Sequence, residues 1–424
     1  MDERIKDILA HEKARQAKDI QLIASENFAS PEVMRLCGSE FANKYAEGYP
    51  GKRYYNGCAI NDAIESLAID LVKELFGAAF ANVQPHCGAN ANTAVYQALL
   101  KPGDTILGMD LSSGGHLSHG AKVNMSGKVY KSHVYGVDAH GFIDYYEVRQ
   151  IALTVRPQLI IAGASAYSRA IDWKRFKDIA SEVGAFLLAD MSHYSGLIAG
   201  GCYPNPLPHA DIVTSTTHKT LRGPRGGIIL WNDPKFSQKI NSAIFPGTQG
   251  GPHMNNIAAK AQCFAEALRP EFAAYAQRVV ENARAMCHVF IEHGYEVQSY
   301  GTDSHLLLLR MKEEEREEDV NQRNEMSEEE RYSKKNRVNT VNTVNTVNTV
   351  NTVNTVNTVN TGREAANLLE SHGIVVNKNG VPNDTRNFLE TSGIRIGTAA
   401  ETTRGHSREW FVRLAKRIVQ ILEN

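Results

Sequence analysis

Between Asp211 and Gly227 the chain reads Asp-Ile-Val-Thr-Ser-Thr-Thr-His-Lys-Thr-Leu-Arg-Gly-Pro-Arg-Gly-Gly. An apolar, β-branched run gives way to hydroxyls, then to a His-Lys pair, then to a turn of glycine, proline and arginine. That order predicts a buried strand delivering Lys219 to a polar pocket. A lysine amine attacks a carbonyl only when unprotonated, and cationic or apolar neighbours lower its pKa toward that state. His218, Arg222 and Arg225 are candidates for such neighbours, which makes Lys219 the candidate nucleophile. A surface lysine in a basic loop is the alternative on these residues alone.

Other residue groups have chemistry of their own. Gln84-Pro-His-Cys-Gly-Ala-Asn-Ala-Asn92 follows an apolar segment and opens a helical pattern at Ala94, Val95, Leu99 and Leu100. A small-residue turn at a helix start offers free N–H groups and the positive end of the helix dipole to a phosphate, although many helices begin this way. Ser112-Ser-Gly-Gly-His-Leu-Ser-His119 sets two histidines beside a Gly-Gly kink, after a short apolar strand Ile106–Asp110. Arg395 stands between isoleucines in an apolar strand pattern, where a buried guanidinium requires an anion, either a bound carboxylate or an internal partner. Asn43–Tyr55 places four tyrosines among glycine, proline and charges, a loop suited to presenting aromatic faces and a carboxylate to a ligand. The glycines of Phe245-Pro-Gly-Thr-Gln-Gly-Gly-Pro252 let backbone approach a ligand.

These groups need a scaffold. Leu159–Ser165 and Phe186–Asp190 are apolar runs ending in polar residues, separated by a helical pattern from Trp173 to Val183. Strand and helix in alternation predict an α/β fold with a mostly parallel sheet covered by helices, and a ligand at the strands' carboxyl ends. Asp190 then falls at the site. Residues 1–20 carry helical spacing at Ile5, Ile8 and Leu9, an arm packing on another surface or a solvated helix. Residues 21–254 form the large domain. Residues 255–424 begin with linking helices, about 255–293, and continue as a smaller α+β domain with strands at Glu296–Ser299, His305–Arg310, Ile374–Val376 and Ile394–Ile396.

A chain of 424 residues has room for two domains, and 42% apolar and 22% charged residues are ordinary for a soluble enzyme. A net charge of −1 gives no reason to expect nucleic acid or an anionic membrane as partner. The six cysteines lack C-x-x-C spacing, which argues against a zinc site or a disulfide framework and fits a reducing cytoplasm. The first residues lack the apolar core of a secretory signal, and no run approaches a membrane span.

The run from Thr216 to Gly227, with Asp190-Met-Ser-His-Tyr-Ser-Gly-Leu197 upstream, resembles serine hydroxymethyltransferase, a fold-type I pyridoxal-phosphate enzyme. The likeness extends from about Leu22 to the region of Arg404, apart from one insertion. It implies that Lys219 carries pyridoxal 5′-phosphate, with Thr216 and His218 beside it in the catalytic set. Asp190 would keep the pyridine nitrogen protonated, His116 would stack on the ring, and Ser165 and His193 would bond around the phenolic oxygen. Cys87, Gly88 and Ala89 match the phosphate cradle, with Gly250 and Gly251 reaching the phosphate of a neighbouring subunit. Arg395 would clamp the substrate carboxylate, in a substrate set with Ser25, Tyr55 and Arg225. Tyr45, Glu47 and Tyr55 would cross a dimer interface to complete the partner's site, Glu47 as proton carrier. Leu111, Gly115, Leu117 and Asn379, with Glu47 and His116, would bind the folate. The implied reaction interconverts serine and glycine with tetrahydrofolate as one-carbon acceptor, forming 5,10-methylenetetrahydrofolate, in a cytoplasmic homodimer without a metal. The rivals are a threonine-aldolase-like enzyme that uses no folate, and a non-catalytic homologue.

Three stretches depart from the family. Cys87 replaces the usual serine, which removes a hydroxyl donor from the cradle. Residues 383–390 replace the usual Ser-Pro-Phe loop near the folate tail. At about 312–361 a mixed-charge run leads into Val-Asn-Thr repeated from Val338 to Thr361, a period that fits neither strand nor helix and reads as a low-complexity insertion looping out of the small domain.

Overall fold

The computed structural model describes residues 1–312, 359–382 and 384–424. Its centre is a seven-stranded sheet in the order Phe80–Asn82, Gly227–Trp231, Ile212–Thr216, Phe186–Asp190, Leu159–Ala162, Thr105–Met109, Lys131–Tyr135. Only Gly227–Trp231 runs against its neighbours. Side chains alternate across the sheet, as the two-residue strand period requires. Leu159, Ile161, Leu188 and Ile212 enter one core, while Ile160, Ala162, Leu187 and Val213 enter the other. Burial on both faces explains why these strands read as continuous apolar runs.

The covering helices carry local start and stop signals. Trp173–Val183 forms as expected: Asp172 caps it by accepting from the Arg175 N–H at 3.0 Å, and Gly184 ends it in the left-handed region. It buries Trp173, Phe176, Ile179 and Ala180, one stripe at helical spacing. The linking helices expected over about 255–293 are two, Met254–Ala267 and Pro270–Glu292, divided where Pro270 begins a new first turn. Glu3–Lys18 is helical with no buried residue, and Ile5, Ile8 and Leu9 are exposed. No helix among the described residues is long and apolar enough to cross a membrane.

The C-terminal part holds a three-stranded antiparallel sheet with Gly393–Gly397 between Leu306–Arg310 and Asn377–Asn379. Two strand expectations are corrected. Glu296–Ser299 is not a strand: Val297 makes one bridge to Leu309, and Gln298–Tyr300 is a 3-10 turn in which Ser299 and Tyr300 take φ of 53° and 57°. Arg169 donates to the Ser299 carbonyl in this turn. Ile374–Val375 is a strand, but it pairs in parallel with Ile20–Gln21 and stays outside this sheet. The third strand, Asn377–Asn379, escapes sequence reading because Asn-Lys-Asn carries no apolar alternation.

The acidic and basic run and most of the repeat lie outside the described residues, as does Asn383. The last triplet, Val359–Thr361, is described, and the insertion boundary shifts accordingly. Val359 packs against the C-terminal core, and Thr361 caps the helix Gly362–Ser371 in a reciprocal capping box with Glu364. The flanks meet at neighbouring residues, because the Met311 N–H donates to Ser392 O at 2.8 Å and the Gly362 N–H to Thr391 O at 2.9 Å. A short linker can therefore join them. Replacing residues 313–358 with a few glycines and serines is expected to leave folding and cofactor binding intact. The change in loop-closure free energy is on the order of 1–2 kcal/mol. Loss of soluble, cofactor-binding protein on this replacement would sink the reading of the segment as a dispensable insertion.

Candidate active site

The buried strand Ile212–Thr216 ends at the floor of a cavity of ≈ 460 Å³. Beyond it the chain folds back, with the Thr217 N–H donating to Gly226 O at 3.1 Å and the Gly223 N–H to Thr217 O at 2.7 Å. Thr220 fastens this turn to the Asp190 segment: its Oγ1 accepts from the Gly196 N–H at 2.9 Å and donates to His193 O at 2.8 Å. Lys219 thus projects into the cavity from a turn held at both ends, and its side chain is buried. Burial pushes its amine down to about 8; Asp190 opposes the shift, and Arg395 and Arg225 add to it. Two of the neighbours expected from sequence do not act. Arg222 turns away to lie over the Tyr275 and Phe272 rings, 4.8 and 5.5 Å from their centroids. His218 lines the cavity, but burial, then Lys219 and Arg225, push it down to about 3, so it is neutral.

Asp190 closes its strand with both oxygens engaged. Oδ1 accepts from Ser192 N at 3.1 Å and Ser192 Oγ at 2.5 Å, and Oδ2 from Asn92 Nδ2 at 2.9 Å with His119 Nε2 at 3.0 Å. Burial would raise its pKa, but the bonds and charge of His119 and the bond from Asn92 outweigh this and hold it well below the usual carboxylate range. Asp190 is therefore a fixed anion facing Lys219. Asn92 and His119 were not assigned from sequence, although both stand in motifs singled out there.

His116 reaches the cavity from the Gly114-Gly115 kink. Gly114 has φ of +100°, and side chains at Gly114 or Gly115 would strike the Ala166 or Met109 carbonyls. Its Nδ1 is bonded to Ser118 Oγ at 2.7 Å, and burial, with His119 adding, pushes its pKa down to about 4. A neutral, oriented ring results.

The helix Gly88–Leu99 starts at the cavity wall, and Cys87 at its N-cap makes no side-chain cap bond. The Cys87 thiol turns to Asn90 Oδ1 at 3.0 Å. The first N–H groups of Gly88 and Ala89 have no intrahelical partner and suit an anion. A Cβ on Gly88 would lie 2.7 Å from Thr216 Cγ2, so the close approach of helix and Lys219 strand requires glycine.

Arg395 sits in the central strand of the small sheet, where its Nε donates to Asn377 Oδ1 at 3.1 Å and its Nη1 to Ser165 O at 2.5 Å. Burial pushes its pKa down to about 10, with Tyr194 opposing, and among the described residues no carboxylate pairs with it. The anion that a buried guanidinium requires must come from a ligand. His193 lines the same cavity, its ring stacked on His305 with Nδ1 and Nε2 3.2 Å apart. His305, invisible as a site residue in the sequence, links the small sheet to the cavity wall through His193. Ser25 and Arg225 also line the cavity.

A second cluster forms elsewhere in the chain. The Tyr45 and Tyr55 rings are 5.2 Å apart, and Cβ atoms at Gly251 and Gly250 would lie 2.9 Å from the Tyr45 ring and 3.4 Å from Glu47 Oε1. None of these five residues lines the Lys219 cavity. Nor do Leu111, Gly115, Leu117 and Asn379; Leu117 is exposed, and the Asn379 amide donates to Gly380 O at 2.6 Å.

The family model described as serine hydroxymethyltransferase matches residues 1–340 and 327–418. The chain belongs to the serine hydroxymethyltransferase family. Its relatives include proteins of that name from Chromohalobacter salexigens, 51% identical over the whole of this chain and 90% of the relative, and from Acinetobacter baumannii, 51% identical over 100% and 91%. A third, from Psychrobacter sp., is 50% identical over 98% of this chain and 89% of the relative. Enzymes of this family are fold-type I transferases that depend on pyridoxal phosphate and take tetrahydrofolate as co-substrate. The residues around Lys219 fit that cofactor: a buried amine held near neutrality, a fixed anion for the pyridinium, and an open helix N-terminus for the phosphate.

Proposed function

We propose that the Lys219 cavity is where this chain performs the serine–glycine interconversion of its family, passing the hydroxymethyl carbon to tetrahydrofolate. The observation that carries this reading is the pairing of a buried amine pushed down to about 8 with a buried Arg395 that has no protein carboxylate of its own among the described residues. One group takes a carbonyl, and the other takes the α-carboxylate of a small amino acid.

In this reading Lys219 would attach the cofactor, Asp190 would pair with its pyridine nitrogen, His116 would pack on the ring, and Gly88 and Ala89 would hold the phosphate. Bound pyridoxal phosphate supplies a protonated ring that delocalises the electron pair released when the Cα–Cβ bond breaks. Arg395, with Ser25 lining the same cavity, would hold the carboxylate and so orient the amino acid. His193 and Ser165 would border the ring's phenolic edge, and Thr216 and His218 line the cavity with the lysine. The cluster of Tyr45, Glu47, Tyr55, Gly250 and Gly251 does not line its own chain's Lys219 cavity, which supports a homodimer in which each subunit completes the other's site. Glu47 there moves the hydroxymethyl proton. Leu111, Gly115, Leu117 and Asn379 border the folate. Six free cysteines fit a cytoplasmic setting.

Serine turnover with and without tetrahydrofolate tests the reaction. A strong increase with the folate is expected; cleavage indifferent to it would favour a threonine-aldolase-like enzyme, and no turnover of either kind a non-catalytic homologue. The altered cradle has its own consequence. Cys87→Ser restores a hydroxyl beside Gly88 and is expected to tighten cofactor binding by roughly 1 kcal/mol, the worth of one added hydrogen bond. Titration of apo-protein with the cofactor measures it, and equal affinity would leave the thiol without effect on the cradle.

A further inference from the structure

Outside the cavity, on the helix Met254–Ala267, Lys260 is 1% exposed. Its Nζ donates to three backbone carbonyls, Val83 O at 2.6 Å, Pro85 O at 3.0 Å and Gly227 O at 2.9 Å. Three acceptors use three N–H protons, which only the ammonium form supplies. Burial works against that charge and pushes the pKa down to about 7, with Glu65 and Cys87 opposing. Glu65 itself is bonded to Arg53 at 2.6 Å and Gln84 at 2.7 Å, and among the described residues the three carbonyls are the hydrogen-bond partners of the ammonium.

The three carbonyls belong to the segments that shape the phosphate cradle. Val83 and Pro85 lead directly into Cys87 and Gly88. The Gly227 N–H donates to Pro85 O at 3.0 Å, and a Cβ on Gly227 would lie 2.5 Å from Cys87 O. Without a cation, three carbonyl dipoles would converge on one point and repel each other. Rings of backbone carbonyls can instead replace the hydration shell of a monovalent ion.

We propose that Lys260 Nζ is the built-in cation of a carbonyl cage that shapes the phosphate cradle, and that shortening this side chain turns the cage into a site for a monovalent cation, potassium or ammonium. Lys260 is then a positioning residue, acting on the cofactor through the backbone of residues 83–88. The inference rests on the cofactor site proposed above, but the cage can be tested apart from it.

The experiment compares the parent with Lys260→Ala, Lys260→Met and Gly226→Ala in potassium, ammonium or choline chloride at equal ionic strength. Gly226→Ala keeps the ammonium but pushes a methyl group against Lys260 Cε. Two readouts are taken: the melting temperature of cofactor-free protein, and the dissociation constant for pyridoxal phosphate. In choline chloride all three variants are expected to fold, with cofactor affinity about tenfold or more below the parent, the scale of a lost charged contact. Potassium or ammonium should raise the melting temperature of Lys260→Ala alone, as a ligand of the folded state does, and restore much of its affinity. Lys260→Met, which fills the space without charge, should not respond. Equal affinity in parent and variants, a Lys260→Ala protein indifferent to the cation, or variants that do not fold would each overturn the proposal, the last by assigning Lys260 to the core. A parent that binds no cofactor would count against the proposed function, and the cation-dependent melting of Lys260→Ala would still decide the cage.

Discussion

Replacing Lys219 with alanine is expected to leave a folded protein that binds pyridoxal phosphate without a covalent link and has no measurable serine turnover. The lysine is buried at a cost: its amine is pushed down to about 8, and removing it relieves that burial. Nothing in the sheet depends on its Nζ. Borohydride treatment of the parent, followed by peptide mass spectrometry, should place the reduced adduct on Lys219. Among the described residues the other buried lysine, Lys260, has its nitrogen enclosed by three carbonyls and cannot substitute. An adduct on any other residue would remove Lys219 from its role. The reaction also has a pH sign. Lys219 must be neutral to attack, so the initial rate of cofactor capture by apo-protein should rise with pH through about 8. A rate that climbs only toward the ordinary lysine range would mean that the pocket does not lower the amine's pKa.

Arg395→Ala should weaken serine and glycine together, by on the order of 2–5 kcal/mol, because both present the same carboxylate and a charged two-pronged partner is lost. The cofactor link at Lys219 should survive, since the guanidinium bonds Asn377 and Ser165 O and makes no contact needed for attachment. Arg395→Lys should recover only part of the loss, because an ammonium lacks the planar fork. Spectral titration with each amino acid measures both. Unchanged affinity for serine would take Arg395 out of the substrate site, and loss of serine binding with glycine spared would assign it to the hydroxymethyl group instead of the carboxylate.

Much of the candidate site was legible because its residues are written locally. Lys219, Asp190, His116, Gly88 and Arg395 each stand in a short motif whose chemistry is visible in neighbouring letters, and the structure brings all five to one cavity. Their partners were harder to see. Asn92, His119, His305 and Asn377 act through contacts between residues far apart in the chain, and a lone Asn or His carries no sign of them. The fold divides similarly. Fully buried parallel strands and capped helices announce themselves through period and caps, whereas Asn377–Asn379 is a strand only because Gly393–Gly397 lies beside it.

What the sequence determined by itself was the chemistry available: which side chains can attack, accept, clamp or cradle, and the α/β order of the elements that carry them, since both depend on residue type and short-range spacing. Tertiary structure decided which of those groups meet. It turned Arg222 onto two aromatic rings and left His218 neutral, so that desolvation, and not the expected basic neighbours, is the main cause of the lowered Lys219 pKa. It also left Tyr45, Glu47 and Gly250 outside the lining of the Lys219 cavity in the same chain, because packing in three dimensions, and not proximity in sequence, decides which residues meet.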